Sequence, residues 1–449
     1  MLARINLVGV TLAASLLAVS CGKDVGGNDK GVAPVDVVRA APSDVAKDLA
    51  DVALKPVDTV EVVEVIDVPL PPPAEHKVPI GVAEDLAFHV GPHVMHTTTT
   101  SVALIWESLE VGSTRLEYGM DDNYGSQVEG ESGTMHEVVV PDLKPATLYH
   151  YRACTEEMCT ADLTFSTAPV PGQKFRFAVY GDSRSDPAAH GAVAQNMIKD
   201  EPVVVINVGD IVGDGIREQY KEEHFDPTRQ LGHYVPIYVA IGNHEWKEAD
   251  ALGTEDVPNF REYLAFPEVP ELRIQELSYS VTFGDAFFII LDNTLDGGDL
   301  FFELAGIEMP LAKWLREQAE SEAAKSAKWR FAFMHYPPGS ACEEDGGMMV
   351  TATKTEVIPL LRDNGFHALF AGHVHDYERH EYEGFPVLVT GGGGAGLQDV
   401  TNCEGETPPE LLKIFSLYHH LTVDLGDDEA HVRAVSLDGA VFDEITIPK

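Results

Sequence analysis

Gly209-Asp210-Ile211-Val212-Gly213-Asp214 follows directly on the apolar run Val203–Val208, so a hydrophobic strand ends and a carboxylate arrives within two residues. The event recurs four times. Gly181-Asp182-Ser183-Arg184 follows Phe175–Tyr180, and Gly242-Asn243-His244-Glu245 follows Tyr238–Ile241. His335-Tyr336-Pro337 follows Arg330–Met334, and Gly372-His373-Val374-His375 follows Ala368–Ala371. Helical patterns at Ala188–Lys199, Asn259–Ala265, Pro310–Ala324 and Lys354–Arg362 alternate with these strands, which predicts an α/β layered domain over 172–449. Ligands in such sheets bind beyond the carboxyl ends of the strands, where the five polar segments would converge. Glycine before the polar residue is expected to permit the tight turn. Asp, Asn and His together form a mixed O/N donor set that suits Zn, Fe or Mn rather than Ca. The C-terminal runs Leu417–Leu425, Ala430–Ser436 and Ala440–Ile447 read as further sheet.

Working back toward the N-terminus, residues 79–171 change to short alternating strands such as Ser101–Trp106, Glu137–Val140 and Leu163–Thr167. Some 90 residues of this kind fit one small β-sandwich. Leu143–Tyr151 resembles the tyrosine-corner stretch of fibronectin type III domains, with Trp106 as the core anchor. Residues 21–78 are rich in Val, Asp, Pro and Ala, contain no aromatic residue and end in Pro69-Leu70-Pro71-Pro72-Pro73, which reads as an acidic tether. Residues 1–20 carry one charge, Arg4, ahead of the largely apolar Ile5–Ser20. That run spans roughly 24 Å as a helix, short of the ~30 Å hydrocarbon core, and reads as a signal peptide. Leu17-Ala18-Val19-Ser20-Cys21-Gly22 resembles the lipobox of bacterial lipoproteins. The resemblance implies export, with Cys21 as a lipid anchor in the bacterial cell envelope.

The chain has 449 residues, 31 Lys+Arg against 73 Asp+Glu, and a formal net charge of −42. The acidic excess is spread over 79–449 rather than held in one tail, which excludes coating nucleic acid or anionic lipid with a basic face. With Cys21 assigned to the anchor, four of the five cysteines remain. Cys154 and Cys159 flank a four-residue loop, Thr155–Met158, and Cys342 and Cys403 lie in loops after ligand-bearing strands. Disulfides within each pair are expected in an exported protein, against free thiols for the first and a thiolate metal site for the second.

The five polar segments, in this order, resemble the calcineurin-like metallophosphoesterase superfamily. With the β domain in front and His373-Val374-His375-Asp376-Tyr377-Glu378-Arg379 behind, the chain is similar to purple acid phosphatases. The resemblance covers about 79–449 and implies a layered αββα sandwich preceded by a fibronectin type III-like all-β sandwich. It also implies a binuclear centre of two divalent or trivalent ions, Fe, Mn or Zn. On that pattern Asp182 and His375 would bind the first metal and Asp210 would bridge both. Asn243, His335 and His373 would complete the second. His244 would sit over the phosphate and assist the leaving group. Two such ions activate a water and hold the phosphate oxygens of an in-line displacement. The implied activity is hydrolysis of a small phosphate ester, with a phosphomonoesterase first and a phosphodiesterase or nucleotidase second. A surface-tethered binding lipoprotein with a degenerate catalytic domain is the reading from another class.

Two departures bear on the first metal. Purple acid phosphatases carry a tyrosine ligand three residues after the bridging aspartate, and here that position is Gly213. Most other members carry a histidine two residues after the first aspartate, and here it is Arg184. Arg184 is then either a phosphate-binding fork or a rim salt bridge. Gly391-Gly392-Gly393-Gly394-Ala395-Gly396 satisfies a dinucleotide fingerprint on paper, but no convincing helix follows, so it reads as a flexible loop beside the metal site. Asp214 and Glu245 read as supporting or turn residues.

Overall fold

The computed structural model describes residues 77–79, 87–254, 256–294, 303–304, 307–342, 347–401, 403 and 408–449. The expected signal peptide, the Cys21 anchor and all but the end of the tether lie outside the described residues.

Two sheets form the α/β region. One runs in the order Val441–Pro448, Glu429–Ser436, His419–Leu425, Arg176–Tyr180, Val204–Asn207, Ile237–Val239. The other runs Tyr279–Phe283, Ala286–Leu291, Trp329–Met334, Ala368–Ala371, Phe385–Thr390, Tyr377–Tyr382, Leu411–Phe415. Arg176–Tyr180, Val204–Asn207 and Ile237–Val239 are mutually parallel, as are Ala286–Leu291, Trp329–Met334, Ala368–Ala371 and Phe385–Thr390. Apart from Arg176, Arg330 and Pro386, which are half-buried, these strands are buried and almost entirely apolar, the pattern of a parallel sheet covered on both faces. Between the sheets, the Phe177 ring lies 5.1 Å from Phe288, 5.4 Å from Phe331 and 6.3 Å from Phe370, centroid to centroid. The aromatic layer thus joins the sheets and brings their carboxyl ends to one edge.

Helix Pro187–Lys199 shows how a loop at that edge is fixed. Asp186 Oδ1 accepts from the N–H groups of Ala188 and Ala189, both at 3.1 Å, and Pro187 occupies the first turn. The buried face holds Val193, Ala194, Met197 and Ile198. The single helix expected at 310–324 is two, Pro310–Ala319 and Glu322–Ser326, because Ser321 accepts from the Ala324 N–H and starts a new helix. In the expected helix 354–362, Pro359 cannot donate to the preceding turn, and Thr353–Val357 opens into wider π-type turns before Ile358–Asp363. The helical segment 217–232 is absent from the sequence reading, since charged residues separate its few buried apolar ones, Tyr220, Phe225 and Leu231.

Over residues 87–171 the elements are all β. Instead of two separate sheets, the six strands form one hydrogen-bonded network. Strand Val102–Gly119 pairs with Val90–Thr97 through its first half, with Leu148–Thr155 through its second, and along its length with Ser126–Val140, where the register shifts between Glu107 and Thr114. Such irregularities let one strand serve two layers. Tyr149 Oη accepts from the Lys144 N–H at 2.9 Å, the tyrosine-corner bond, and Trp106 is fully buried. Cys154–Cys159 and Cys342–Cys403 are disulfides, the first across a register pair. The β region packs on the α/β region through Glu107, which accepts from Arg217 Nη2 and Tyr263 Oη, both at 2.8 Å. Among the described residues, no helix is long and apolar enough to cross a membrane.

Candidate metal centre

All eight residues singled out in the sequence meet at the shared edge. From the first sheet, Asp182 follows strand Arg176–Tyr180, Asp210 follows Val204–Asn207, and Asn243 and His244 follow Ile237–Val239. From the second, His335 follows Trp329–Met334 and His373 follows Ala368–Ala371. The turns are not made where expected. Asp182, Asp210 and His373 themselves take left-handed backbone, at φ 56°, 57° and 72°. Of the glycines preceding them, only Gly209 is left-handed, at φ 104°. Gly372 serves close approach instead, since a Cβ there would lie 2.5 Å from Asp182 Oδ2. Left-handed carboxylate and imidazole residues cost energy that the surrounding packing must offset, and such residues concentrate at functional sites.

Two ligand groups result, each with its donor atoms within 4.8 Å of one another: Asp210, His335 and His373, and Asp182, Asp210 and His375. Asp210 belongs to both. In the first-named group, His335 Nε2 lies 3.2 Å from Asp210 Oδ1. Asn243 Oδ1 is 3.1 Å from both His335 Nε2 and His373 Nδ1. The His335 Nδ1–H donates to the Val208 carbonyl at 2.9 Å, which leaves Nε2 with its lone pair directed inward. Burial pushes the His335 pKa down to about 4, so the ring is neutral and competent to ligate.

In the second-named group, His375 Nδ1–H donates to Gly396 O at 2.8 Å, and Nε2 faces Asp182 Oδ1 at 3.7 Å. Asp182 is fully buried, and its Oδ1 accepts no hydrogen bond among the described residues. Burial and the neighbouring Asp210 charge raise its pKa well above the carboxylate range. Burial pushes Asp210 the same way, but His335, His244 and Arg184 outweigh it and hold Asp210 below that range. An orphaned buried carboxylate oxygen beside a second carboxylate is a donor set that fits a cation. The groups therefore fit metal ions, with Arg184 as the complication. Its Nε donates to Asp210 Oδ2 at 3.2 Å and its Nη2 to His375 Nε2 at 3.3 Å, so its salt bridge is made with the shared carboxylate inside the site.

His244 sits beside the centre, with Nε2 3.7 Å from Asp210 Oδ2. Its Nδ1–H donates to Gly213 O at 2.5 Å, so the position without a tyrosine contributes a carbonyl to this ring. Lys247 Nζ lies over the ring, 2.7 Å from Nδ1 and 3.1 Å from Nε2. Burial first, then Arg184 and Lys247, lower the His244 pKa against the pull of Asp210 and the Gly213 carbonyl.

Three supporting residues complete the site. Glu245 is buried and accepts from the N–H groups of Asp210, Ile211, Val212 and Gly242 at 2.6–3.2 Å, tying the Asp210 and Asn243 loops together. Burial and the Asp210 charge push its pKa up to about 8. Asn293 and Lys247 are missing from the sequence reading. Asn293 Oδ1 accepts from the His335 and Tyr336 N–H groups at 3.1 and 2.9 Å. Its signal was available, since Asp292-Asn293 follows strand Ala286–Leu291 just as the ligands follow theirs. Lys247 opens helix Lys247–Leu252, three residues after His244. The Gly391–Gly394 run lies beside the site but is not a flexible loop. It is buried, and the N–H groups of Gly393 and Ala395 donate to the carbonyls of Gly181 and Asp182 at 2.9 and 2.8 Å.

Comparison with known proteins agrees with this geometry. Residues 175–377 match the family described as calcineurin-like phosphoesterase. Purple acid phosphatase 23 of Arabidopsis thaliana is 25% identical over 384 residues, covering 75% of this chain and 81% of its own. A phosphoenolpyruvate phosphatase of Allium cepa is 24% identical over 371 residues, covering 72% and 73%. In fold, the chain resembles purple acid phosphatase PPD1 from yellow lupin (Lupinus luteus) seeds, with TM-score 0.65, 16% identity and coverage of 80% and 74%. It also resembles PhoD, with TM-score 0.62, 14% identity and coverage of 80% and 89%.

Proposed function

We propose that this chain, whose residues 175–377 match the calcineurin-like phosphoesterase family, is a metal-dependent phosphomonoesterase working at the Asp210 centre. The observation that carries this reading is the sharing of Asp210 between two three-residue ligand groups. Asp210, Asn243, His335 and His373 would hold one ion, and Asp182, Asp210 and His375 the other. Ions bound there supply charge neutralisation at the phosphate and activation of a water at neutral pH. The chain's own residues do the rest. His335 and His375 present neutral nitrogens because backbone carbonyls hold the proton on their Nδ1 atoms. His244, with Nδ1–H fixed on Gly213 O, can carry a second proton only on Nε2, and from there it protonates the departing alkoxide. Lys247 beside it adds fixed positive charge suited to a phosphate dianion. We read residues 1–20 as a lipoprotein signal peptide, 21–78 as a tether anchored at Cys21, 79–171 as a fibronectin type III-like domain and 172–449 as the catalytic domain.

The test is hydrolysis of a chromogenic phosphate monoester and diester by chelated protein resupplied with Mn, Zn or Fe. Metal-restored turnover that prefers the monoester supports the reading. The absence of turnover with every metal would sink it and favour the tethered binding protein.

A further inference from the structure

The two ligand groups differ in one respect that the donor atoms make plain. At Asp210, His335 and His373, Asp210 Oδ1 accepts the His244 backbone N–H at 3.0 Å and faces His335 Nε2, which also faces Asn243 Oδ1, and among the described residues no guanidinium lies on either atom. At Asp182, Asp210 and His375, a guanidinium already lies on two of the three donors, Asp210 Oδ2 and His375 Nε2. His375 Nδ1–H is committed to Gly396 O, so Nε2 is the lone pair that both a metal ion and Arg184 require. One lone pair cannot serve both, and two cations at that distance repel.

We propose that Arg184 is a resident cation of the Asp182–Asp210–His375 group, which a metal ion must displace, so that the two sites load in order and with unequal affinity. The inference rests on the metal-centre reading above. The displacement is confined to the side chain. The Arg184 and Ser183 N–H groups are anchored on Asp210 O at 3.2 and 3.1 Å. The outer Nη1 lies 3.3 Å from Ser185 Oγ, and the side chain is 17% exposed, which leaves a route outward. The guanidinium also explains how two buried carboxylates, Asp182 and Asp210, lie side by side before an ion binds that group: it neutralises the shared one.

The experiment is calorimetric titration of the chelated full chain with Mn2+ or Zn2+, with bound metal counted by elemental analysis. The proteins compared are wild type, Arg184→Gln and Arg184→Lys. Wild type is expected to take up one ion tightly and a second about 10-fold to 100-fold more weakly, the scale on which a residue bonded to a metal ligand shifts affinity. In R184Q the weaker site tightens by a similar factor while the first is unchanged, and R184K falls between. Two equally tight ions in wild type overturn the inference and leave the metal centre standing, as does a folded R184Q whose second affinity does not move. No ion bound by wild type overturns the metal-centre reading itself. Thermal melts of the three chelated proteins separate folding loss from these outcomes, and if R184Q does not fold, the R184K titration decides alone.

Discussion

His335 Nε2 stands 3.2 Å from Asp210 Oδ1, although the two residues come from different sheets. That contact joins the carboxyl ends of both parallel sets at one point, and the centre's chemistry depends on how firmly it is held.

Asn293 provides much of that hold through its two bonds to the His335–Tyr336 backbone. Asn293→Ala should lower metal affinity or turnover by about 10-fold to 100-fold, the usual effect of removing an outer partner of a ligand. Calorimetric metal binding checks this. An affinity and kcat within error of wild type would show that the loop holds His335 without Asn293.

His244→Ala should reduce kcat by about 10²–10⁴-fold on alkyl phosphates, as expected for loss of a general acid. The deficit should shrink on nitrophenyl phosphate, whose leaving group needs no proton. A plot of kcat against leaving-group pKa for both proteins is the measurement. Equal losses across the series would assign His244 to binding instead.

Buried histidines outside the centre set an acid limit on the fold. In His190, Nδ1–H donates to Glu223 O at 2.7 Å and Nε2 accepts from Tyr180 Oη. His419 is held the same way between Leu417 O and Thr390 Oγ1. Burial pushes both pKa values from 6.5 down to about 4. Their folded pKa values are depressed, so the unfolded chain takes up protons first as pH falls. Their contribution to stability is complete above pH 6.5 and is lost as pH falls toward 4. The Tm of wild type should decline across that window, and NMR should find both rings neutral at pH 5.5. Rings that titrate near 6.5 would contradict this.

Much of this architecture was legible as a repeated local event, a strand ending in a metal-competent residue. Asp182, Asp210, Asn243, His335, His373 and His375 obey it because parallel strands must deliver their ends to one edge. Asn293 obeys it too, yet an asparagine that binds backbone N–H groups looks the same in sequence as one that faces a metal. The left-handed backbone of Asp182, Asp210 and His373 could not be read at all. Sequence favours glycine for such turns, and only the packing around these residues forces them into that region. Arg184 was visible as a departure, but its partners come from loops 26 and 191 residues away, which no local pattern connects. Helix 217–232 was hidden by charge, because its apolar burial comes from three spaced side chains, Tyr220, Phe225 and Leu231, rather than from a continuous apolar stripe.

The central claim is that Asp210 joins two ligand groups into one hydrolytic centre. Metal content and monoester turnover of Asp210→Asn, measured beside wild type in the same Mn-, Zn- or Fe-loaded preparations, test it most directly. The account predicts a folded variant that retains less metal than wild type and loses metal-stimulated turnover. A variant that keeps wild-type metal content and wild-type turnover would contradict it.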